Sequence, residues 1–369
     1  MEHVLITGGA GFIGSRLARA LLADDPTRRV WVLDNLHPQV HGPAASVPDL
    51  GPGVSFMRGD IGVAADVVRA IAGARPSLVY HLAAETGTGQ SYDEPTRYCT
   101  VNVLGTTHLI EALRSSGCAR RVVLAASRAV YGEGAYRDQD GVECVGQPRQ
   151  TQAMAAGVFD VPLPAPRRGP GTPAPSHAGL APAPASIYAS SKLMQELLLA
   201  QAGEGAAWGA VMLRFQNVYG PGQSLRNPYT GVLSIFARQL LEGGELAIFE
   251  DGQIARDFVY VDDVVDALVR AGRAPLPHGT ILDIGCGEAA TILDVARLLM
   301  RALGRSEDAF RVTGAFRAGD VRHACADIGA AGRLLGWSPR VRLEEGLLRL
   351  AEWARSRHAE QAPRNKESA

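Results

Sequence analysis

Tyr188 and Lys192 stand one helical turn apart in the segment YASSK, and Ser127 lies upstream of them at the end of the apolar run VVLAAS. On a helix the Tyr-x-x-x-Lys spacing brings both side chains to one face. A free tyrosine titrates at about 10 and is a poor base at neutral pH, so it accepts a proton usefully only where positive charge stabilises the phenolate. Lys192 is a candidate source of that charge. Tyr188 would then take a hydroxyl proton while hydride leaves the same carbon, and Ser127 would hold the oxygen that becomes a carbonyl. This is redox chemistry at an alcohol, and it requires a hydride acceptor. Without one, the pair reads as a packed aromatic ring covered by a lysine stem.

A site for the acceptor stands at the other end of the chain. In GGAGFIG, Gly8, Gly11 and Gly14 follow the apolar run HVLIT and precede the helical pattern SRLARALLA, the context in which such glycines cradle a dinucleotide. Gly8 allows the tight turn, Gly11 lets the backbone approach a pyrophosphate, and Gly14 lets helix and strand pack closely; the helix N-terminus supplies N–H donors and positive dipole. Asp34, twenty positions beyond Gly14, ends the next apolar run, where a carboxylate accepts both adenosine ribose hydroxyls and favours NAD over NADP. Arg16 lies near the loop and would instead favour a 2′-phosphate, so these residues leave the choice open. Asp60 and Ile61 end a further run; Asp60 either borders the adenine or is a solvated loop carboxylate.

Elements that must hold these groups follow from periodicity. Short apolar runs (HVLITG, VWVLDN, SFMRGD, SLVYHLAA, RRVVLAAS, GAVMLRFQNVYG) alternate with helical patterns such as ADVVRAIAG and VNVLGTTHLIEALRSSG. That rhythm predicts an α/β fold, a Rossmann-type doubly wound parallel sheet with a smaller C-terminal α/β substrate lobe. The expected division is 1–215 for the dinucleotide domain, 216–350 mainly for the lobe with some segments returning to the sheet, and 351–369 for a polar, frayed tail. Between about 135 and 185 the chain turns rich in Pro, Gly and Ala, predicting a long surface loop without a sustained ladder, either a poorly ordered insertion or a lid.

With 369 residues, 46% hydrophobic and 20% charged, the chain can bury a large core. A formal net charge of -1 gives no global reason to expect nucleic acid or an anionic membrane as partner. Cys99, Cys118, Cys144, Cys286 and Cys325 are widely spaced, without CxxC pairs or zinc-type Cys/His spacings. These features predict a reduced, cytoplasmic protein with no metal, no membrane span and no secretory leader.

The series TGGAGFIG, DNL, GDI, HLAA, SRAVYG, YASSK, LRFQNVYGP, RDFVYVDD and RAGDVRH resembles the extended short-chain dehydrogenase/reductases, in their sugar-nucleotide epimerase/dehydratase branch. The resemblance covers nearly the whole chain. It implies NAD held by Gly8, Gly11, Phe12, Ile13, Gly14, Asp34, Asn35, Asp60, Ile61, Leu82, Ala83, Ala84 and Lys192. It further implies Tyr188 as the base, Ser127 as the hydroxyl beside it, and Lys192 as the group that binds the nicotinamide ribose and lowers the tyrosine pKa. The nucleotide sugar would meet Ser127, Thr86 and Asn217, with Arg256 and Arg317 as diphosphate clamps whose planar guanidinium suits paired oxygens. Thr88 and Thr86 either adjust the sugar site or are ordinary loop threonines. Asp262 and Asp263 match a helix-capping position. Members commonly form homodimers through a helical interface.

Two departures bear on the reaction. Ala125 and Ala126 precede Ser127 where hydroxyls are frequent in the family. More tellingly, Arg128 and Ala129 follow it, where the resembling 4,6-dehydratases carry Asp-Glu to strip the C5 proton and expel the C6 hydroxyl. Dehydration is therefore disfavoured, and the expected activity is an NAD-dependent nucleoside-diphosphate-sugar 4-epimerase passing through a 4-keto intermediate. The segments DNLHPQVHG, HLAAETGTGQS and QNVYGPGQSLRNPYTGVL look more like bacterial dTDP-L-rhamnose 4-epimerase-type proteins than like UDP-glucose 4-epimerases, which suggests a dTDP- or UDP-linked 6-deoxyhexose. The alternatives are a dehydrogenase, reductase, dehydratase or decarboxylase of the same substrate class, or a non-catalytic NAD sensor.

Overall fold

A computed structural model describes residues 1–361 apart from 43, 44, 168, 170, 228, 230 and 318. Seven strands, β1 (His3–Thr7), β2 (Arg29–Asp34), β3 (Val54–Arg58), β4 (Leu78–His81), β5 (Arg121–Ser127), β6 (Gly209–Phe215) and β7 (Thr280–Ile284), form one sheet in the order β7-β6-β5-β4-β1-β2-β3. All of its pairings are parallel, as near-continuous apolar runs joined by helices require. Successive residues of β1 point to opposite faces. Val4 and Ile6 enter one core with Leu17 and Leu21 of the helix Gly14–Asp24 and with Val264 and Leu268 of the helix Val261–Arg273. Leu5 enters the other, with Val67 and Ile71 of the helix Ala64–Ala74 and Leu109 and Leu113 of the helix Gly105–Ser116.

The strand order reverses at β1, whose neighbours are β2 and β4, so the loops leaving β1 and β4 diverge and open a crevice at the carboxyl edge. Because every strand runs the same way, the glycine loop after Thr7, the HLAA turn after His81 and Ser127 at the end of β5 share that edge.

The smaller lobe gathers a mixed sheet in which Ala255–Tyr260 pairs with Asn217–Tyr219, Ala289–Thr291 and His323–Ala324. A two-stranded pair joins Leu246–Ile248 to Phe310–Val312. The helices Val232–Leu241, Ile292–Ala302 and Leu343–Gln361 close a third core. The last helix runs on through the start of the expected tail, burying Ala351 and Ala354, because its apolar stripe continues beyond 350; 362–369 lie outside the described residues. No helix among the described residues is long and apolar enough to cross a membrane.

The Pro-rich stretch departs from its expected form. Ala135–Arg137 pairs antiparallel with both Glu143–Val145 and Thr172–Pro173, and Thr151–Ala155 is a short helix. Tyr136 is buried with Cys144 and Val161, its ring flanked by Gly146 and Gly171. The ladder is built from strands too short to show a period, and glycine supplies the close packing around the ring that a periodic apolar pattern supplies elsewhere. Of this stretch, 168 and 170 lie outside the described residues.

Candidate active site

Close backbone packing shapes the glycine loop. Gly8 has φ +68°, and a Cβ there would lie 2.7 Å from Ala83 N, so the loop rests directly on the Leu82–Ala83 backbone. A Cβ on Gly14 would lie 2.5 Å from both the Gly8 carbonyl oxygen and Gly9 Cα; Gly14 thus seats the helix on the loop itself. Asp34 braces the same turn. Its carboxylate accepts from Ala10 N at 3.0 Å and Leu36 N at 2.9 Å, and each oxygen keeps a further lone pair for a ribose hydroxyl. Gly14→Ala should therefore disrupt the loop, lowering bound NAD in the purified protein at least about tenfold and costing about 1–3 kcal/mol in chemical unfolding. Retention of full NAD content would reject this packing account.

Other sequence assignments around the loop separate. Asn35 Nδ2 donates to Asp60 at 2.8 Å, and Asp60 also accepts from Gly62 N at 2.7 Å, which makes Asp60 an organised turn carboxylate. Ile61 is buried in the core against Gly105. Phe12 and Ile13 pack on the smaller lobe's core. Arg16 is committed elsewhere, to Asp262 at 2.9 Å and the Pro221 carbonyl at 2.6 Å, which removes it as a ready 2′-phosphate ligand. Asp263 does not cap its helix: its carboxylate accepts from Arg340 N at 3.0 Å and Val341 N at 3.1 Å, while Tyr260 occupies the cap without a side-chain bond. Both aspartates are structural, as expected, but by bridging rather than capping.

Ser186 starts the helix Ile187–Gly203 by accepting from Ala189 N at 3.1 Å, which places Tyr188 in the first turn and Lys192 one turn deeper. Ser127 caps the short 3₁₀ turn Arg128–Tyr131, accepting from Ala129 N at 3.2 Å. Its hydroxyl also stands near the Tyr188 phenol. Burial pushes the Tyr188 pKa up, and the nearby Ser127 hydroxyl and the Arg128 guanidinium pull it back. Lys192 is 3% exposed, and burial pulls it down to about 8 against the opposing charge of Glu196. The Tyr98 ring meets Tyr188 edge-on at 6.3 Å, and its hydroxyl donates to the Thr86 carbonyl at 2.7 Å. Thr86 itself is exposed, and Thr88 opens the helix Thr88–Asp93.

Arg256 is only 5% exposed. It donates to Asp320 at 2.9 Å and to the Ala255 carbonyl at 2.8 Å. Arg317 is exposed and lies over the Phe249 ring at 4.7 Å. Asn217 stands half-buried beyond the end of β6.

Two residues escaped the sequence reading. A π-helical segment, Cys99–Leu104, turns Asn102 fully inward. Asn102 accepts from Glu85 N at 2.8 Å and donates to Ser191 Oγ at 2.9 Å, and Ser191 in turn donates to the Tyr188 carbonyl at 2.8 Å. The loop after β4 is thereby pinned to the helix that carries Tyr188. The visible signal was a polar residue inside the apolar pattern VNVLGTT. The second is Gln216, 5% exposed, whose amide oxygen and nitrogen both lack partners among the described residues, a state that costs stability unless water or ligand completes it.

The family model described as "NAD dependent epimerase/dehydratase family" matches residues 4–153 and 167–285. The chain belongs to the NAD-dependent epimerase/dehydratase family. It is 41% identical over 355 residues to the dTDP-L-rhamnose 4-epimerase of Burkholderia thailandensis, covering 95% of this chain and 94% of the relative. Among solved structures it resembles the UDP-glucose 4-epimerase of Thermotoga maritima with UDP-glucose, with a TM-score of 0.77, 30% identity, and coverage of 96% and 99% of the two chains. It also resembles the UDP-glucuronic acid 4-epimerase of Bacillus cereus in complex with UDP-glucuronic acid and NAD, with a TM-score of 0.77, 28% identity and the same coverage.

The cofactor of this epimerase/dehydratase family fits the residues present. The backbone cradle at Gly8, Gly11 and Gly14 has no room for side chains at Gly8 and Gly14, and the Asp34 carboxylate stands at the end of β2 beside it. NAD, when bound there, supplies the hydride acceptor and donor. Tyr188 and Ser127 meet at the same carboxyl edge, where a substrate hydroxyl can be gripped by two oxygens and lose its proton to one of them.

Proposed function

We propose that this family member is a nucleoside-diphosphate-sugar 4-epimerase whose substrate is a dTDP- or UDP-linked 6-deoxyhexose. Tyr188 takes the C4 hydroxyl proton as the C4–H bond breaks, Ser127 holds the C4 oxygen, and Lys192 keeps positive charge under the site. NAD held in the glycine cradle would take the C4 hydride and supply it back to the other face of the ketose, and Tyr188 gives the proton back, so no net redox change results. The observation that carries this reading is Ser127 at the end of β5 with the helix that carries Tyr188 packed against the turn that follows it, on the carboxyl edge that also holds the glycine loop, and Arg128 and Ala129 standing where a dehydratase needs an acid and a base. The similarity to a dTDP-L-rhamnose 4-epimerase supports a 6-deoxyhexose.

The test is to incubate the protein with dTDP-L-rhamnose and follow anomeric proton signals. A C4 epimer forming without NADH accumulation is the expected result. Accumulating NADH, loss of a hydroxyl group, or no product from dTDP- and UDP-sugars alike would overturn it.

The same reading includes a homodimer. The helices Gly105–Ser116 and Ile187–Gly203 pack together, and Leu104, Met194 and Leu197 stay exposed on or beside them, an apolar patch suited to a second copy. Leu197→Glu should weaken dimerisation at least about tenfold, read as a shift toward monomer in sedimentation equilibrium. An unchanged mass would place any interface elsewhere. The five free cysteines support a cytoplasmic setting.

A further inference from the structure

The Pro-rich stretch makes its deepest contact through one side chain. Arg149, whose side chain is 2% exposed, directs its guanidinium to three acceptors: Glu133 Oε1 at 3.0 Å, Glu250 Oε1 at 2.8 Å and the Asp320 carbonyl at 2.7 Å. Both glutamates are buried and use their second oxygens as well. Glu133 accepts from Arg322 N at 2.7 Å, and Glu250 from Arg322 Nη1 at 2.8 Å. Asp320 then holds Arg256 at 2.9 Å through its own carboxylate. Further along, Ser176 of the same stretch donates its N–H to the Cys325 carbonyl and accepts from Asp327 N, both at 2.9 Å. The strand His323–Ala324 between these anchors pairs with Ala255–Tyr260, placing Ala324 beside Arg256.

Two of the three partners adjoin residues assigned to the substrate. Glu133 follows the 3₁₀ turn that begins at Ser127, and Asp320 follows Arg317 within RAGDVRH. A buried ion cluster is a poor way to gain stability over apolar packing. A planar guanidinium with donors fixed in direction is instead suited to setting the relative position of several groups. We propose that Arg149 is a positioning residue for the substrate diphosphate, and that the described residues of the stretch 135–185 form the strap that holds Arg256 and Arg317 at a set distance from Ser127. This rests on the assignment of those two arginines to the diphosphate of a nucleotide sugar. Lysine at 149 could not replace it, since one ammonium cannot span all three acceptors with the same geometry.

The experiment compares wild type with Arg149→Met and Glu133→Gln, each carrying its NAD. The readouts are dTDP affinity by titration calorimetry, KM and kcat for dTDP-L-rhamnose, and NAD content. The expected result is a rise of at least about tenfold in the dTDP dissociation constant and in KM, with kcat within about threefold and NAD content unchanged. If Arg149→Met fails to fold, Glu133→Gln decides alone, since it removes one charge while keeping the side chain's size and an acceptor oxygen. Unchanged dTDP affinity in the folded variants would reduce Arg149 to a structural strut and overturn the proposal, as would a fall in kcat with KM constant. Wild type that binds dTDP but turns over no sugar nucleotide would defeat the epimerase reading while leaving this one to the affinity comparison. Wild type that binds no nucleoside diphosphate would sink both.

Discussion

Tyr188→Phe is expected to lower kcat by about 10²–10⁴-fold, the range that a positioned general acid–base group contributes, while NAD content and KM change little. The ring would remain against Tyr98, so packing survives, and only the oxygen near Ser127 is lost. That oxygen is the single protein group in the proposed reaction that both takes and returns the C4 proton. Rapid quench with dTDP-L-rhamnose would show the loss in the first turnover, before product release can mask it. Wild-type rates in this variant would remove Tyr188 from the chemistry, and with it the proposed mechanism.

Lys192→Met should do two opposed things. Turnover should collapse, because the site loses the ammonium that the proposed reaction places under it, one of two positive groups, with the Arg128 guanidinium, that would favour a phenolate. Stability should rise, because wild type keeps an ammonium where burial disfavours it: Lys192 titrates at about 8 in the fold and at about 10.4 when unperturbed. The sign follows from proton counting. Below about pH 8 both folded and unfolded chains carry the proton, and the folded state bears a constant penalty on the order of 3 kcal/mol. Between about pH 8 and 10.4 the unfolded chain holds a proton that the folded chain has released, so wild-type stability gains with rising pH. The methionine variant lacks both the penalty and the gain. Urea unfolding of NAD-free protein should show the variant ahead by about 1–3 kcal/mol at pH 7, with the gap closing toward pH 10. A variant less stable at pH 7, or a gap independent of pH, would mean that Lys192 is compensated within the fold.

How much of this was legible beforehand varied with the range of the interaction. Six of the seven strands lie where the apolar runs stand, since a parallel strand buried on both faces must be written as a continuous run; the seventh, β7, is the short TILDI at Thr280–Ile284, which follows no such run. Gly8 turns with φ +68° and Gly14 packs without room for a side chain, against the loop more than the strand. Arg16, Asp60 and Asp263 were each read from type and position; their partners at Asp262, Asn35 and the 340–341 backbone lie far away in the chain or beyond a turn, and no spacing could reveal them. The insertion was the largest difference. Its Pro, Gly and Ala content carries no period, yet Tyr136 centres a small core there and Arg149 ties it to the lobe.

From sequence alone came the doubly wound sheet, the dinucleotide loop and the Tyr-x-x-x-Lys turn, because each is encoded by neighbours within a few residues whose spacing matches a strand or helix repeat. Only the tertiary structure decided that Ser127 and the helix of Tyr188 come together, that Lys192 is buried enough to titrate near 8, that Asn102 pins the helix carrying Tyr188, and that Arg149 joins three separate segments. Those facts depend on which distant residues the chain topology brings together and on how much water it excludes around them, and neither quantity is written in any local stretch.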